Sequence, residues 1–190
     1  NTFLSQLLTE KTIESSYQSS IATIWKDRVA KHQEYTAKIP FSDFKVFDFI
    51  CQNVPKNSQL QVSNSSAIRY LQLFDLDKSI QVFCNRGTSG IDGSTSTAIG
   101  AALATNLPTI LITGDISFLY DSNALWNNYI PKNFKIILLN NSGGGIFRIL
   151  PGHQETETFN RYFETSHQLN ASHLAKMYGF DYFEANDEAT

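Results

Sequence analysis

Apolar residues follow one pattern over residues 1–55 and another from Gln59 onward. In the first part they recur every three or four positions, the spacing of an amphipathic helix: Ile13, Tyr17, Ile21, Ile24 and Trp25. A second helix is predicted after Ser42 and Asp43, two residue types that commonly cap helices. We therefore predict that residues 1–55 form a helical lead-in to the rest of the chain.

From Gln59 the pattern changes to short apolar runs that alternate with helical stretches. The predicted strands are Gln59–Val62, 80–84, 108–113 and 135–139, with a further strand beginning at 181–183. The predicted helices are 66–73, 95–104 and Ser172–Tyr178. Alternation of this kind predicts right-handed crossovers and a mainly parallel sheet. We expect an α/β domain over residues 56–190, built as a three-layer sandwich.

Composition narrows the class of protein without naming a function. The chain has 190 residues, a net charge of −3, 42% hydrophobic residues and 17% charged residues, which is ordinary for a globular domain. It has no basic run that would predict a nucleic-acid surface, and no apolar run approaches the roughly 20 residues of a membrane span. Two cysteines without a Cys-x-x-Cys pair favour free thiols in the cytoplasm. The chain begins at Asn1, and its one methionine is Met177, so we interpret it as a fragment of a longer enzyme.

Two polar segments directly follow predicted strands and carry the candidate chemistry. The first is the segment 113–118, which contains Asp115, and the second is 139–145, which contains Asn141 and three glycines. Their separation fits one strand–helix–strand crossover, so the two side chains could meet at neighbouring strand ends, where open α/β sheets bind ligands. Oxygens of Asp, Asn and the backbone suit a hard cation such as Mg²⁺, which commonly bridges protein and phosphate.

Each of these features also has a purely structural interpretation. Asp115 could cap a helix, and Asn140 or Asn141 could be a turn residue. The glycines could form a flexible loop, although three in succession after a strand favour close approach of a ligand. A second Asn pair, residues 127–128, lies too close to Asp115 in the sequence to be its partner, and we interpret it as a decoy.

The order of these motifs resembles a known family. Gly114-Asp115 followed by Asn140-Asn141 resembles the signature of thiamine diphosphate enzymes, with Ile116 in place of the usual third glycine. The segments 85–93, 114–123 and 143–147 make the chain similar to the MenD family, the 2-succinyl-5-enolpyruvyl-6-hydroxy-3-cyclohexene-1-carboxylate synthases of menaquinone biosynthesis. This resemblance covers residues 59–150 and implies the diphosphate-binding domain of such an enzyme.

The resemblance implies a cofactor, thiamine diphosphate, held through Mg²⁺ or Mn²⁺. It assigns the metal ligands to Asp115, Asn141 and the carbonyl of Gly143. It assigns the cofactor contacts to Gly114, Ile116, Ser117, Gly143 and Gly144. Ile91 matches the bulky residue that supports the bent cofactor, although a buried loop anchor would look the same. The glutamate that such enzymes need for the aminopyrimidine matches nothing in this chain, which implies that another domain supplies it.

The resemblance also implies a transferase that decarboxylates 2-oxoglutarate and adds the resulting carbanion to isochorismate. The matching substrate residues are Ser65, Arg69, Arg86, Ile146, Phe147 and Leu150. An arginine fork suits a dicarboxylic substrate, but Arg69 could equally be a solvated surface residue and the apolar residues could be core. The complete enzyme is expected to be a cytoplasmic homodimer or homotetramer. Neither Arg148 nor the four histidines receives a role, and most of the histidines are expected at the surface.

Two other functions remain open at this point. One is a different thiamine diphosphate enzyme, such as an acetolactate-synthase-like ligase or a 2-oxoacid decarboxylase. The other is a non-catalytic phosphate-binding α/β module, in which the glycines would cradle another anion. The Asp115 and Asn141 pair discriminates against the second, because it implies a metal.

Overall fold

The computed structural model describes residues 16–189, which divide into two compact units with their boundary along the chain between Ile39 and Pro40. The described residues of the first unit contain one helix, α1 (Ser16–Thr36), so the predicted helix is confirmed from Ser16 onward. Ile13 lies outside the described residues. Of the predicted apolar positions, Tyr17, Ile21 and Ile24 are exposed.

The second unit contains all the strands of the described residues. Its helices are α2 (Asp43–Asn53), α3 (Ser66–Leu71), α4 (Ser94–Leu103), α5 (Asp115–Tyr120), α6 (Ile146–Ile149) and α7 (Ser172–Tyr178), with a 3₁₀ turn at Ser122–Trp126 and a π-helix at Phe159–Glu164. Its strands are β1 (Gln59–Val62), β2 (Gln81–Cys84), β3 (Thr109–Gly114) and β4 (Phe134–Leu139). Among residues 16–189, no helix combines the length and the apolarity needed to cross a membrane.

The four strands form one parallel sheet in the order β2-β1-β3-β4, which confirms the predicted α/β class. Strand β3 lies inside the sheet, and its residues from Thr109 to Thr113 are all buried. A continuous buried run of this kind is typical of a parallel strand covered on both faces. Strand β2 forms an edge, where Val82 and Phe83 are exposed.

Helices cover the sheet with two groups of buried side chains. One group includes Phe47 and Ile50 of α2, Leu60 of β1 and residues of α3. The other joins α4, the 3₁₀ turn and Leu111 of β3. Helix α2 therefore belongs to the unit that contains the sheet, while the domain boundary at residue 55 stays a prediction.

One prediction about the sheet is wrong and another is confirmed. Residues 181–183 do not form a strand, so that prediction is wrong, because no neighbouring strand pairs with them and Phe183 is 90% exposed. The pairing of β3 with β4 sets Gly114 opposite Leu139. Asp115 and the residues after Leu139 consequently leave the sheet at the same edge, as the crossover argument predicts.

Candidate active site

A cavity of about 640 Å³ opens at the carboxyl ends of the parallel strands. The segments that follow all four strands contribute to its lining, including Ser65 after β1, Ile91 after β2, Asp115 after β3 and Asn141 after β4. This edge of a parallel sheet is where open α/β folds place their ligands. The cavity is therefore the candidate site, and its lining contains most of the residues selected from the sequence.

Asp115 connects the ends of β3 and β4. Asp115 is 4% exposed. Its Oδ1 accepts the N–H of Ile116 at 2.7 Å, and its Oδ2 accepts the N–H of Gly143 at 2.9 Å. Burial raises the pKa of Asp115, although these backbone donors and His167 act in the opposite direction. A cation at the cavity would offset the cost of a buried carboxylate.

His167 is a further neighbour of the Asp115 carboxylate. Its Nε2 lies 3.2 Å from Asp115 Oδ2, and its side chain is 12% exposed. Its Nδ1 accepts the N–H of Leu169 at 3.1 Å, so the proton of the neutral ring belongs on Nε2, the nitrogen nearer to the carboxylate, although the two groups are not aligned for a hydrogen bond. His167 is an exception to the expectation that most of the histidines lie at the surface. No spacing pattern in the sequence could have paired it with Asp115.

Asp43 orients the side-chain amide of Asn141, although the sequence suggested Asp43 only as a helix cap. The Nδ2 of Asn141 donates to Asp43 Oδ2 at 2.9 Å, and both residues line the cavity. Because a carboxylate only accepts hydrogen bonds, the Asn141 nitrogen faces Asp43 and the Asn141 oxygen is left for another partner. The acceptor oxygen that a metal ligand needs is thus available at this position.

The neighbouring asparagines have local roles instead. Asn140 donates from Nδ2 to the carbonyl of Leu169 at 2.8 Å, and its Oδ1 accepts the Ser142 N–H at 3.3 Å. Asn127 bonds the carbonyl of Ala124 and the N–H of Tyr129, and it does not line the cavity. Of the asparagines at positions 127, 128, 140 and 141, only Asn141 lines the cavity, and its role as a metal ligand stays a prediction.

The glycine loop after β4 is closed on one side by the π-helix. Gly143 has φ +156°, and a Cβ at this position would lie 2.9 Å from the carbonyl oxygen of Glu164. The N–H of Gly144 donates to the same oxygen at 2.6 Å. The loop requires glycine because another backbone approaches it closely.

The remaining predicted cofactor residues also line the cavity. The Ser117 hydroxyl donates to the carbonyl of Ile91, which connects the loop after β2 to helix α5. Gly114 and Gly144 line the cavity as well. The N–H of Ile116 is already bonded to Asp115, so this donor is engaged within the chain.

The predicted substrate residues separate into two groups. Ser65 and Arg69 line the cavity, and Arg69 Nη1 donates to the carbonyl of Ser65 at 2.8 Å. Arg86 is exposed and does not line the cavity; its Nη1 donates to Asn64 Oδ1 at 3.2 Å, and Asn64 does line it. Arg86 therefore reaches the site only through Asn64 in this structure.

An apolar wall completes the cavity, as the sequence suggested. The predicted members Ile146, Phe147 and Leu150 all line it. The rings of Phe147 and Phe163 pack edge to face with centroids 5.8 Å apart. Phe163 belongs to the π-helix, which sequence periodicity did not reveal because its spacing matches neither a strand nor an α-helix.

Backbone strain is concentrated around the same cavity. Ser65, Ser89 and Thr165 all line it, and their φ angles are +80°, +61° and +54°. Non-glycine residues in this region are costly and persist where the surrounding structure imposes them, commonly at functional sites. This signal was invisible in the sequence, because serine and threonine carry no mark of a positive φ.

The donor set fits a hard cation better than a transition metal. Within residues 16–189, no cluster of three or more His, Cys, Asp or Glu side chains could hold a metal ion. The candidate ligands are instead one carboxylate, one amide oxygen and one backbone carbonyl. Such all-oxygen sets, completed by phosphate oxygens and water, are typical of Mg²⁺.

Comparison with known proteins agrees with this geometry. Residues 64–190 match the family model described as "Thiamine pyrophosphate enzyme, C-terminal TPP binding domain". Among curated proteins, the chain is similar to the 2-succinyl-5-enolpyruvyl-6-hydroxy-3-cyclohexene-1-carboxylate synthases of three bacteria. Identity is 65% over 98% of the chain for Flavobacterium johnsoniae, 70% over 94% for Flavobacterium psychrophilum and 45% over 80% for Bacteroides fragilis. The resemblance drawn from the motifs is confirmed.

The chain spans about a third of the length of these relatives: 34%, 32% and 27%. Two solved structures share its fold. One is a thiamine diphosphate-dependent 4-hydroxybenzoylformate decarboxylase from Rhodococcus jostii, with a TM-score of 0.54, 24% identity and coverage of 74% of this chain and 27% of that one. The other is a benzoylformate decarboxylase from Polynucleobacter necessarius, with a TM-score of 0.51, 17% identity and coverage of 75% and 28%.

Proposed function

The chain belongs to the thiamine pyrophosphate enzymes through their C-terminal TPP-binding domain, and on that premise we propose that it supplies the diphosphate- and metal-binding half of a MenD-type synthase. The complete enzyme would be a transferase of menaquinone biosynthesis. It would decarboxylate 2-oxoglutarate and join the resulting four-carbon unit to isochorismate. The observation that carries the proposal is the buried Asp115, bonded to the glycine loop after β4 at the edge of a 640 Å³ cavity.

Three oxygens are proposed to hold the cation. They are a carboxylate oxygen of Asp115, the side-chain oxygen of Asn141 and the carbonyl oxygen of Gly143. The Asp43 contact supports the role of Asn141, because it engages the amide nitrogen and leaves the side-chain oxygen to accept a cation. We propose Mg²⁺ as the cation, with Mn²⁺ as a substitute.

Thiamine diphosphate would supply the carbanion-stabilising electron sink, while the protein supplies binding and orientation. Gly114, Gly144 and the start of α5 at Ile116 and Ser117 are proposed to contact the diphosphate. Ile91 lines the cavity, and its carbonyl accepts a hydrogen bond from Ser117. We propose that its side chain would support the bent form of the cofactor.

Ser65 and Arg69 are proposed to bind a carboxylate of the substrate, next to the apolar wall of Ile146, Phe147 and Leu150. The exposed guanidinium of Arg69 is tied by one nitrogen to Ser65, which leaves its other donors for a dicarboxylic ligand. Arg86 is proposed to act at the rim. It would either reach the substrate directly after a side-chain rotation or orient Asn64, to which it donates.

If this chain supplies only half of the active site, the other half must come from another domain or subunit. A glutamate for the aminopyrimidine would come from another domain, and the complete enzyme is proposed to be a homodimer or homotetramer in the cytoplasm. The share of the curated relatives that this chain spans supports a larger polypeptide. Light scattering on the full-length protein would test the oligomeric state.

The deciding experiment is calorimetric titration of thiamine diphosphate into the full-length polypeptide, with Mg²⁺ and with chelator. We expect binding that requires the metal and is abolished by Asp115→Ala. Product analysis with 2-oxoglutarate and isochorismate then separates a MenD-type synthase from an acetolactate-synthase-like ligase or a 2-oxoacid decarboxylase. Metal-independent binding of thiamine diphosphate, unaffected by Asp115→Ala, would refute the proposed site.

A further inference from the structure

Arg148 and Glu164 form a paired contact beside the cavity that the proposed function does not use. Arg148 Nε donates to Glu164 Oε1 at 2.6 Å, and Nη2 donates to Oε2 at 2.7 Å, so the guanidinium meets both carboxylate oxygens in parallel. Glu164 is 6% exposed. The outer nitrogen, Nη1, donates to Glu155 at 3.0 Å. This is the two-bond geometry that an arginine provides and a lysine does not.

The main chain of Glu164 contacts the glycine loop directly. Its carbonyl oxygen accepts the N–H of Gly144 at 2.6 Å, and it is also the atom that a Cβ at Gly143 would meet at 2.9 Å. Glu164 is the last residue of the π-helix, and Thr165 follows it with φ +54°. The end of the π-helix is therefore pressed directly against the loop that carries the proposed Gly143 ligand.

The glycine loop is thus held from two sides. On one side the N–H of Gly143 donates to the buried Asp115 of α5. On the other side the N–H of Gly144 donates to Glu164, whose side chain is held by Arg148 of α6. Helix α6 has only four residues, so its position against the π-helix depends on side-chain contacts, which are the Arg148–Glu164 pair and the Phe147–Phe163 ring pair.

We propose that Arg148 is a positioning residue, whose two-bond contact with Glu164 holds the π-helix against the Gly143–Gly145 loop and so fixes the backbone that receives the diphosphate and its cation. The identity of the ligand rests on the proposed function. The contact between the π-helix and the loop is independent of the proposed function, and so is its dependence on Arg148. The closing experiment therefore measures the loop first without ligand and then with it.

The ligand-free measurement is hydrogen exchange by mass spectrometry on the full-length polypeptide. The variants are Arg148→Gln, Arg148→Lys and the double variant Arg148→Gln with Glu164→Gln, which avoids an unpaired buried carboxylate. The matched control is Arg161→Gln, because Arg161 lies on the same π-helix and its guanidinium stacks over the Tyr162 ring at 5.4 Å. We expect Arg148→Gln to accelerate exchange in the peptide over 140–150 on the order of tenfold, with Arg148→Lys intermediate and Arg161→Gln unchanged.

The second measurement is the dissociation constant of thiamine diphosphate at saturating Mg²⁺. Loss of a residue that orients a metal-binding backbone should weaken binding on the order of 10- to 100-fold. If Arg148 and Glu164 act as a unit, the double variant should be no weaker than Arg148→Gln alone.

Unchanged exchange in the 140–150 peptide of Arg148→Gln would overturn the proposal. So would acceleration spread equally over β3 and the helices, because that would make Arg148 a residue of general stability. If wild type binds no thiamine diphosphate, the proposed function fails, while a localised exchange difference still upholds the role of Arg148 in holding the loop. Normal wild-type binding with no exchange difference would leave the proposed function standing and refute the role of Arg148.

Discussion

Replacing Gly143 by alanine tests the close approach on which the site depends. The new methyl group would lie 2.9 Å from the carbonyl oxygen of Glu164 and 3.1 Å from its Cγ, at a backbone φ of +156°. Both obstacles belong to a buried residue. The nearer one is the backbone oxygen that accepts the Gly144 N–H, so it cannot move aside without breaking that hydrogen bond.

The expected cost follows from those two effects. A non-glycine residue in this part of φ space costs about 1–3 kcal/mol, and a lost intramolecular hydrogen bond adds about 0.5–1.5 kcal/mol. Together they predict a loss of about 2–4 kcal/mol in the free energy of unfolding. For a chain of this length that corresponds to a decrease in Tm of roughly 5–15 °C.

The assay is thermal unfolding of the purified chain followed by circular dichroism, with Gly100→Ala as the matched control. Gly100 lies inside α4, and a Cβ there would meet nothing within 4 Å. Alanine at a helix interior is favoured over glycine by roughly 0.5–1 kcal/mol, so this variant should be slightly more stable than wild type. The two glycine variants should therefore shift Tm in opposite directions. Equal shifts, or a Tm for Gly143→Ala within about 1 °C of wild type, would refute the geometry described for the loop.

Three further outcomes are expected. In the full-length polypeptide, Asn141→Ala should weaken Mg²⁺-dependent binding of thiamine diphosphate and Asn128→Ala should not; equal calorimetric curves would contradict the choice of ligand. Burial raises the pKa of both thiols, that of Cys51 to about 12, while the Arg86 guanidinium acts to lower the pKa of Cys84. Iodoacetamide should therefore modify Cys84 first in a peptide map, and equal labelling of the two thiols would contradict the reasoning. Phe47 is fully buried in the core, so Phe47→Ala should lower the free energy of unfolding by about 3–5 kcal/mol in urea titrations; a loss below about 1 kcal/mol would contradict its place in the core.

Much of the fold follows from local patterns in the sequence. The strands β1, β3 and β4 were predicted to within a residue or two, because a buried parallel strand is a short apolar run bounded by turn residues. The placement of Asp115 and Asn141 at the same sheet edge also followed, since consecutive parallel strands end at the same edge. The order β2-β1-β3-β4 was not predictable in this way, because several strand orders satisfy the same pattern.

The candidate site was only partly predictable, for the same physical reason. Residue type and position after a strand were enough to select Asp115, Asn141 and the glycines, because those features are local. The partners that orient them are not local: Asp43 meets Asn141 across 98 positions of sequence, and His167 reaches Asp115 from a loop after the π-helix. No periodicity links residues so far apart. Only the pairing of strands and the packing of the π-helix against the glycine loop bring them together.

Arg86 and Arg148 show the same division most clearly. By the sequence alone, Arg86 sits in the most specific motif and Arg148 has no role, since residue type and neighbours were the only criteria. In the tertiary structure Arg86 lies outside the cavity and contacts Asn64. Arg148 instead donates two hydrogen bonds to the buried Glu164, which contacts the loop of the proposed ligand Gly143. The sequence by itself determined the four strands, most of the helices and the chemical groups that follow the strands, but not the π-helix. The tertiary structure decided which side chains reach the cavity, because that depends on distances between segments that are joined only by folding.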